Sequence, residues 1–379
     1  MLTERSNVFV TGATGLIGGE LVRTLVSQPI GKVWALIRVA HDGSPTVRLA
    51  HRLDRSGGAL PARAKDCVRA VAGDVSLPQF GLPDDDYEEV RREVDIIIHS
   101  AAETSFIRAA DCRRTNIAGA ENLVEFTRAG ARQPRLVCLS TAYVSGAITD
   151  ACISEEAGWR PGNEHHNEYT RSKAVAEELV RSSGLPVLVV RPSIVLSAGV
   201  PDPAFARAIL GFAPLLKKLD AIPVNPAARA DIVPVQFVVD SIIRLLQLPR
   251  LRYDCYHISG GEAAVDHAHL ARIFDRFYER QVRLRLIPPA QWTREVHRRY
   301  VQTPEQRKAF AALRNYLPFL NMNVLYDNSR LRQELGDRFP SLPPFASYLE
   351  ELLGLISAGR HALRLVGAGS PPPARAVSG

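Results

Sequence analysis

The stretch "TGATGLIGG" (residues 11–19) constrains the fold of this chain more than any other feature. It follows the apolar run "NVFV" and precedes a segment with helical spacing, so its glycines stand in a strand–turn–helix unit. In that context Gly12 permits a tight turn, Gly15 lets the backbone approach a pyrophosphate, and Gly18 lets the helix pack closely on the strand. The free N–H groups at the start of the helix favour phosphate. We therefore expect a dinucleotide to bind here.

Further β-rich runs follow this unit, and most of them are separated by segments of helical spacing. They lie at 32–38, 67–74, 94–102, 135–141 and 185–193. Such alternation predicts a parallel sheet covered by helices on both faces, because parallel strands need crossover connections. We expect an α/β fold of the Rossmann type, with a doubly wound parallel sheet and a smaller, mostly helical C-terminal subdomain that binds the substrate.

The expected division of the chain follows from where this alternation loosens. Prolines interrupt residues 193–230, a strand and a helix return at 231–249, "CYHISG" (255–260) is a further strand, and helices dominate 265–358, with the strand-like run "QVRLRLI" (281–287) among them. We assign residues 1–192 and 231–260 to the cofactor-binding domain, 193–230 and 261–365 to the substrate-binding subdomain, and 366–379 to a disordered tail.

The charge balance narrows the choice of partner. The net charge is +7 and the pI about 9.3, which favours anionic partners. No run of five Lys or Arg occurs, so we expect no nucleic acid, and no window of 18 apolar residues predicts a membrane span. The start of the chain does not resemble a signal peptide, and the five cysteines are scattered, which favours a cytoplasmic protein with reduced thiols. No histidine spacing predicts a metal site.

The end of the second strand predicts the type of dinucleotide. Arg38 stands there, Arg48 follows in the next segment, and no Asp or Glu occupies that strand end. A basic residue at this position pairs with a ribose 2′-phosphate, so we expect NADPH. Asp74 follows the third strand, where it can meet the adenine amino group. Small residues follow the fourth strand and would let the cofactor lie against the backbone: Ser100, Ala101 and Ala102. We expect His99 to be a packed core residue.

Tyr169 and Lys173 lie four residues apart in "NEYTRSKAVAEELV", which places them on one face of a helix. Lys173 is one of only six lysines among 47 basic residues. An ammonium near a phenol lowers the pKa of the phenol, so we expect Tyr169 to transfer a proton near neutral pH. Ser140 and Thr141 end the fifth strand, and a hydroxyl at that edge of the sheet can hold a substrate carbonyl oxygen.

These motifs together resemble the extended short-chain dehydrogenases/reductases over most of residues 7–260. The resemblance rests on "TGATGLIG", "HSAAE", Asn116, "LSTAYVSG" and Tyr169-x-x-x-Lys173. It implies that Thr141, Tyr169 and Lys173 are catalytic, that Asn116 supports the site, and that Lys173 also holds the nicotinamide ribose. We also expect cofactor contacts from residues beside these motifs: Thr11, Thr14, Leu16, Ile17, Val75, Pro192 and Ser193.

Other stretches are similar to the fatty acyl-CoA reductases and to the thioester reductase domains of carboxylic acid reductases and of peptide or polyketide synthetases. These stretches are "VWALIR", "GDVSLPQFGL", "IIIHSAAETSF", "VRPSIV" and "ADIVPVQFVVD". The similarity implies NADPH-dependent reduction of an acyl thioester, carried by coenzyme A or an acidic carrier protein, to an aldehyde or further to an alcohol. Adenylation and carrier segments are absent, so we expect the thioester to be made elsewhere.

Two alternative functions remain open, and one residue departs from the family pattern. The chain could be another extended reductase, such as a nucleotide-sugar epimerase or dehydratase or a hydroxysteroid-type dehydrogenase, although Arg38 argues against an NAD-dependent epimerase. It could also be a non-catalytic NADP-binding regulator, but such proteins often lack the tyrosine–lysine pair. Gln236 stands where this family usually carries an acidic residue. The acyl chain and the oligomeric state are not predicted by any of these patterns.

Overall fold

A computed structural model describes residues 1–39, 43–57, 59–158 and 162–366 of the chain. Within these residues the central sheet has seven strands, which we number along the chain: β1 (Val8–Thr11), β2 (Val33–Ile37), β3 (Val68–Ala72), β4 (Ile96–His99), β5 (Arg135–Leu139), β6 (Val187–Pro192) and β7 (Cys255–Ile258). Their spatial order is β7-β6-β5-β4-β1-β2-β3, and every neighbouring pair is parallel. The predicted doubly wound sheet is confirmed.

Helices cover the sheet and build the C-terminal part of the chain. They are α1 (Leu16–Val26), α2 (Pro45–Asp54), α3 (Asp84–Glu93), α4 (Gly119–Ala129), α5 (Glu168–Arg181), α6 (Pro203–Leu210), α7 (Val235–Leu246), α8 (His267–Phe277), α9 (Arg294–Tyr300), α10 (Pro304–Leu313), α11 (Ser329–Leu335) and α12 (Phe345–Val366). Short helical turns lie at Ala64–Cys67, Ala109–Cys112, Ala213–Leu216 and Leu317–Leu320, with 3₁₀ turns at Pro78–Gly81, Ala142–Ser145, Gly261–Ala263, Pro289–Gln291 and Gly336–Arg338.

The strands form because their residues are apolar and buried on both faces. In β1 and β2 every residue is buried, as expected for parallel strands packed between two layers of helices. The winding reverses between β1 and β4, which are neighbours in space although β2 and β3 lie between them in the chain. Such a reversal leaves a crevice at the carboxyl ends of the strands, where ligands bind in open α/β sheets.

Four pairs of short strands form separate two-stranded sheets outside the central sheet. Three pairs are parallel and one is antiparallel: Ala151–Ile153 with Val324–Tyr326, Ile194–Leu196 with Ile232–Pro234, Ala221–Ile222 with Arg285–Leu286, and, antiparallel, Arg229–Ala230 with Val265–Asp266. A second hydrophobic cluster, separate from those against the sheet, is built by residues 196–224, 273–284, 309–313 and 345–356. Leu331 and Leu335 of α11 instead pack in the cluster against the sheet.

Several element boundaries differ from the sequence predictions. The strand predicted at 281–287 is only Arg285–Leu286. The helical segment that ends as α4 begins as a π-helix at Arg113–Ala118. Helix α5 ends at Arg181, with Ser182 as its C-cap. The predicted tail lies outside the described residues apart from Val366, which ends α12. None of the described helices is both long enough and apolar enough to cross a membrane.

Candidate active site

The glycine turn packs directly against the loop that follows β4. Gly12 has a φ of +69°, and a Cβ there would lie 2.6 Å from the backbone nitrogen of Ala101. A Cβ on Gly18 would overlap the Gly12 carbonyl oxygen, so glycine at both positions lets β1, α1 and the β4 loop approach one another. The Thr11 hydroxyl accepts from the Ala101 N–H (3.2 Å) and lies 3.0 Å from Nδ1 of His99. His99 is buried, as predicted, and burial lowers its pKa to about 3.

A buried ion pair braces the same turn from the other side. Arg52 of α2 donates to the carbonyl oxygens of Gly15 (3.2 Å) and Leu16 (3.1 Å) and pairs with Glu20 at 2.9 Å. A Cβ on Gly19 would lie 2.5 Å from the guanidinium carbon of Arg52, so the helix leaves room for this side chain. The turn is therefore held in shape by a cation fixed behind it.

The start of α1 fits a dinucleotide pyrophosphate. Gly15 is the N-cap and offers no side chain to the first-turn N–H groups, and that turn contains no acidic residue. Gly15, Leu16 and Ile17 line the cavity described below, whereas Thr14 and Gly18 do not. Beyond β2, Arg38 and Arg48 are both exposed, and the Arg48 guanidinium donates to the Arg38 carbonyl oxygen.

Asp74, predicted to meet the adenine, and Val75, predicted to contact the cofactor, lie beyond β3. The Asp74 carboxylate accepts from the N–H (2.9 Å) and hydroxyl (2.8 Å) of Ser76. The Val75 carbonyl oxygen accepts from the side-chain amide of Asn122 at 2.9 Å. Neither residue lines the cavity.

A cavity of about 890 Å³ opens at the carboxyl edge of the sheet and runs between it and the C-terminal helices. Of the residues predicted from the sequence, it is lined by Gly15, Leu16, Ile17, Ser100, Ala102, Thr141, Tyr169, Pro192 and Ser193. Five other predicted residues do not line it: Thr11, Gly12, Ala101, Asn116 and Lys173. The wall also includes Ser140, whose buried hydroxyl has no hydrogen-bond partner among the described residues.

Thr141 and Tyr169 meet on this wall from two different elements. Thr141 follows β5 and caps the short 3₁₀ turn with its hydroxyl, which accepts from the Tyr143 N–H at 3.4 Å. Tyr169 lies in the first turn of α5, which the Asn167 side chain caps by accepting from the Thr170 N–H at 3.0 Å. Burial raises the pKa of Tyr169 to about 12, and a hydrogen bond with Thr141 opposes this shift. Tyr169 is therefore a phenol, and not a phenolate, near neutral pH.

Lys173 lies one turn after Tyr169 and is 5% exposed. Its ammonium donates to the carbonyl oxygen of Leu139 at the end of β5, at 2.6 Å. Burial lowers the pKa of Lys173. The expectation that the Tyr169 pKa is lowered is therefore wrong for this structure, because desolvation of the phenol dominates its pKa.

Asn116 connects the β4 loop to the helix that carries Tyr169. It sits in the π-helix, a feature that often marks functional sites. Its side chain accepts from the Glu103 N–H (2.8 Å) and donates to the Glu103 carbonyl oxygen (3.0 Å) and to the Ser172 hydroxyl (2.8 Å). Ser172 in turn donates to the carbonyl oxygen of Tyr169 at 2.9 Å. Asn116 thus fixes the position of α5 relative to the sheet.

Aromatic residues that the sequence analysis did not select surround Tyr169. The ring of Phe106, in the β4 loop, lies 6.2 Å from that of Tyr169 and 5.0 Å from that of Phe319. Tyr143 contacts Phe319 at 5.5 Å between ring centroids. All four residues line the cavity, so the C-terminal part of the chain meets the sheet edge through stacked rings beside the proposed acid.

Asp231 is a further cavity residue that no sequence motif predicted. It precedes the strand Ile232–Pro234, lines the cavity and is 2% exposed. Its carboxylate accepts from the N–H groups of Gly260 (2.8 Å) and Gly261 (3.2 Å), and burial raises its pKa to about 6. Gln236, the departure noted above, lies exposed on α7 and donates to Asp240 at 2.6 Å.

The described residues contain no cluster of three or more His, Cys, Asp or Glu side chains suited to a metal ion.

Comparison with known proteins extends the resemblance found in the sequence. A nonribosomal peptide synthetase of Aspergillus flavus (asaC) is 30% identical over 266 residues, which are 65% of this chain and 25% of that protein. A Drosophila melanogaster protein described as a fatty acyl-CoA reductase is 26% identical over 307 residues, 68% of this chain and 55% of its own length. The chain therefore spans a quarter and about half of these relatives.

Solved structures share the fold. The terminal R domain from the myxalamid PKS-NRPS biosynthetic pathway superposes with a TM-score of 0.77 at 24% identity, covering 94% of this chain and 91% of that one. The reductase domain of a nonribosomal peptide synthetase from Mycobacterium tuberculosis gives 0.68 at 22% identity, with 94% and 93% covered. A family model described as male sterility protein matches residues 10–242, more than half of the chain. The chain is a member of that family, as its resemblance to acyl-CoA and thioester reductases predicted.

Proposed function

We propose that this chain reduces an acyl thioester to an aldehyde with NADPH. The observation that carries the proposal is the meeting of Thr141 and Tyr169 on the cavity wall beside the glycine turn. A protonated phenol and a hydroxyl can both donate to one carbonyl oxygen there. The relatives that match include a peptide synthetase and a fatty acyl-CoA reductase, which supports a thioester as the substrate.

The phenol of Tyr169 acts as the proton donor. Because burial keeps it protonated, it can give its proton to the carbonyl oxygen as negative charge develops there. The hydroxyls of Thr141 and Ser140 hold the same oxygen and stabilise that charge. A nicotinamide cofactor supplies the hydride for the carbonyl carbon. The hemithioacetal that results loses its thiol and leaves the aldehyde.

Lys173 and Asn116 are proposed to act on the geometry of this step. Lys173 is fixed to the end of β5 and stands behind Tyr169, where it can also hydrogen-bond a nicotinamide ribose. Asn116 keeps α5 and the β4 loop in register. Arg38 and Arg48 lie close together and exposed after β2, which supports a 2′-phosphate as their ligand and hence NADPH over NADH.

The thiol carrier is proposed to be anionic. The chain carries a net charge of +7, and both coenzyme A and the phosphopantetheine arm of a carrier protein bring phosphate groups. The relatives include synthetases that are much longer than this chain, and a carrier-bound acyl group is consistent with them.

The test is to follow NADPH oxidation and free thiol together, with acyl-coenzyme A and acyl-pantetheine thioesters as substrates. We expect one thiol released for each NADPH oxidised to aldehyde, and a much slower reaction with NADH. Oxidation of NADPH without thiol release would point to a different carbonyl substrate. Absence of any oxidation, with NADPH binding retained, would overturn the proposal for these thioesters.

A further inference from the structure

Much of the cavity wall is made by the second hydrophobic cluster. Its members on this wall are almost inaccessible to solvent and come from separate helices and strands, among them Leu210, Leu216, Ile222, Phe274, Leu284 and Leu349. Protein interiors are close-packed and leave few voids larger than a water molecule. A cavity lined by a hydrophobic cluster therefore indicates a binding space for an apolar ligand. We call this part of the cavity the apolar room.

Few of the residues that line this cavity are charged. In the described part of the lining, the charged residues are Glu103, Arg108, Arg229 and Asp231. Glu103 pairs with Arg108 at 2.9 Å, and Arg108 and Arg229 are exposed to solvent. Both Asp231 oxygens accept backbone N–H groups. His267, also on the wall, is neutral because burial lowers its pKa.

The energetics favour a hydrocarbon chain over a peptide in this room. Each methylene group that leaves water for an apolar wall contributes about 0.8 kcal/mol. An amide buried without a hydrogen-bond partner costs about 1–3 kcal/mol. A peptidyl group would place several amides against leucine, isoleucine and phenylalanine side chains, whereas an alkyl chain brings no polar group of its own that needs a hydrogen-bond partner.

We infer that the acyl part of the substrate is an extended apolar hydrocarbon chain that lies within the second hydrophobic cluster. The inference rests on the proposed function, since the thioester carbonyl then sits at Thr141 and Tyr169. Ala271 of α8 is 8% exposed and lies on this wall, one turn before Phe274. Its small side chain leaves space that a longer acyl chain needs.

The experiment compares butanoyl, octanoyl and dodecanoyl thioesters of pantetheine with a dipeptidyl thioester of the same thiol. Pantetheine lacks the carrier and its phosphate, so only the acyl group varies. We expect kcat/KM to rise by at least about tenfold from butanoyl to dodecanoyl, and the dipeptidyl thioester to react no faster than butanoyl. A flat series, or a preference for the dipeptide, would overturn the inference while leaving thioester reduction established.

Two variants test where the chain lies. Ala271→Phe fills the room and should lower kcat/KM for dodecanoyl by about tenfold while changing butanoyl by less than about twofold. Ala311→Phe is the matched control, because Ala311 is exposed on α10 and does not line the cavity. Equal losses for both acyl lengths in Ala271→Phe would contradict the placement. If Ala271→Phe does not fold, Ala271→Leu makes a smaller insertion, and the wild-type series still decides the inference.

A binding measurement separates this inference from the proposed function. The dodecyl thioether of pantetheine cannot be reduced but carries the same chain, and its binding can be followed by displacement of a fluorescent fatty acid. Displacement in the wild type that weakens in Ala271→Phe supports the apolar room even if no thioester is reduced. No displacement by the thioether, with butanoyl thioester still reduced, would overturn the inference alone.

Discussion

Glu177 and Arg191 form a buried ion pair that joins the helix of the proposed proton donor to the central sheet. Glu177 lies one turn after Lys173 on α5, and Arg191 precedes Pro192 at the end of β6. Their closest approach is 2.5 Å, and their side chains are 4% and 2% exposed. Arg191 also donates to the carbonyl oxygens of Glu155 (3.0 Å) and Ala157 (3.2 Å). Tyr169, Lys173 and Glu177 thus share one helix face that is fixed at its far end.

Glu177→Gln should destabilise the fold strongly, because it leaves the buried Arg191 guanidinium without its carboxylate. We expect the free energy of unfolding to fall by about 3 kcal/mol. Glu168→Gln on the same helix is the control, since its partner Arg171 is 44% exposed and such pairs contribute less than about 1 kcal/mol. Urea unfolding of the three proteins measures both effects. Equal losses in the two variants would show that the buried ion pair contributes no more to the free energy of unfolding than the exposed pair.

Tyr169→Phe should remove the proton donor and keep the cofactor site. We expect kcat to fall by at least about a hundredfold, because general acid catalysis contributes that much or more, while NADPH binds as in the wild type. Steady-state kinetics and NADPH fluorescence titration give the two readouts. Tyr87→Phe, on α3 away from the cavity, should change neither. Activity near the wild-type level in Tyr169→Phe would refute the role of the phenol.

Arg38→Ala should weaken NADPH far more than NADH. An arginine contact with a phosphate is a charge-assisted bond, so we expect about a tenfold rise in Kd for NADPH and little change for NADH. Isothermal titration with both cofactors measures this difference. Arg92→Ala removes a similarly exposed charge from α3 and should affect neither cofactor. A loss of the same size for NADPH and NADH would contradict the 2′-phosphate assignment.

Gly18→Ala should disrupt the glycine turn, because the added methyl group overlaps the Gly12 carbonyl oxygen. We expect at least about a tenfold loss of NADPH affinity, since backbone and helix must separate to accept even one methyl. Gly354→Ala is the matched control inside α12, where an added Cβ meets nothing within 4 Å. It should stabilise the fold by up to about 1 kcal/mol. Calorimetric unfolding and NADPH titration measure both variants. Equal stability and equal NADPH affinity in Gly18→Ala and Gly354→Ala would refute the packing argument.

Asp231 should make the fold less stable as the pH rises from about 4 to about 6. Its pKa is raised from 3.8 to about 6 by burial, so the folded protein keeps a proton that the unfolded chain releases in this window. The stability that Asp231 contributes is thus greatest below this window and lost above it. In urea unfolding, the free energy of unfolding of the wild type should fall relative to that of Asp231→Asn as the pH rises across this range. Parallel pH profiles would contradict the raised pKa.

The parts of the site that the sequence predicted depend on short-range patterns. Gly12 and Gly18 are read from one turn, and Tyr169 and Lys173 from the period of one helix. The parts it missed depend on contacts between distant segments. Arg52 and Glu20 are 32 residues apart, and Asp231 lies 29 residues before Gly260. Phe106 and Phe319 meet only because the C-terminal part returns over the sheet.

The pKa of Tyr169 could not be predicted because spacing does not report desolvation. One turn of helix places Lys173 near Tyr169, but whether the phenol loses a proton depends on how much water surrounds it. The structure places Tyr169 half-buried on the cavity wall, where desolvation raises the pKa of its phenol, and directs the Lys173 ammonium to Leu139. The π-helix around Asn116 was missed for a similar reason, since its apolar periodicity is that of an ordinary helix.

The pairing of residues 151–153 with residues 324–326 sets an order of completion during synthesis. Strands β1 to β4 and the glycine turn are made first, followed by Thr141 and Tyr169, and segments that emerge early from the ribosome can begin to fold first. The wall that Met322, Val324 and Tyr326 contribute to the cavity must wait for a much later part of the chain. The glycine turn, Thr141 and Tyr169 are therefore synthesised before the segment that completes the cavity wall beside them.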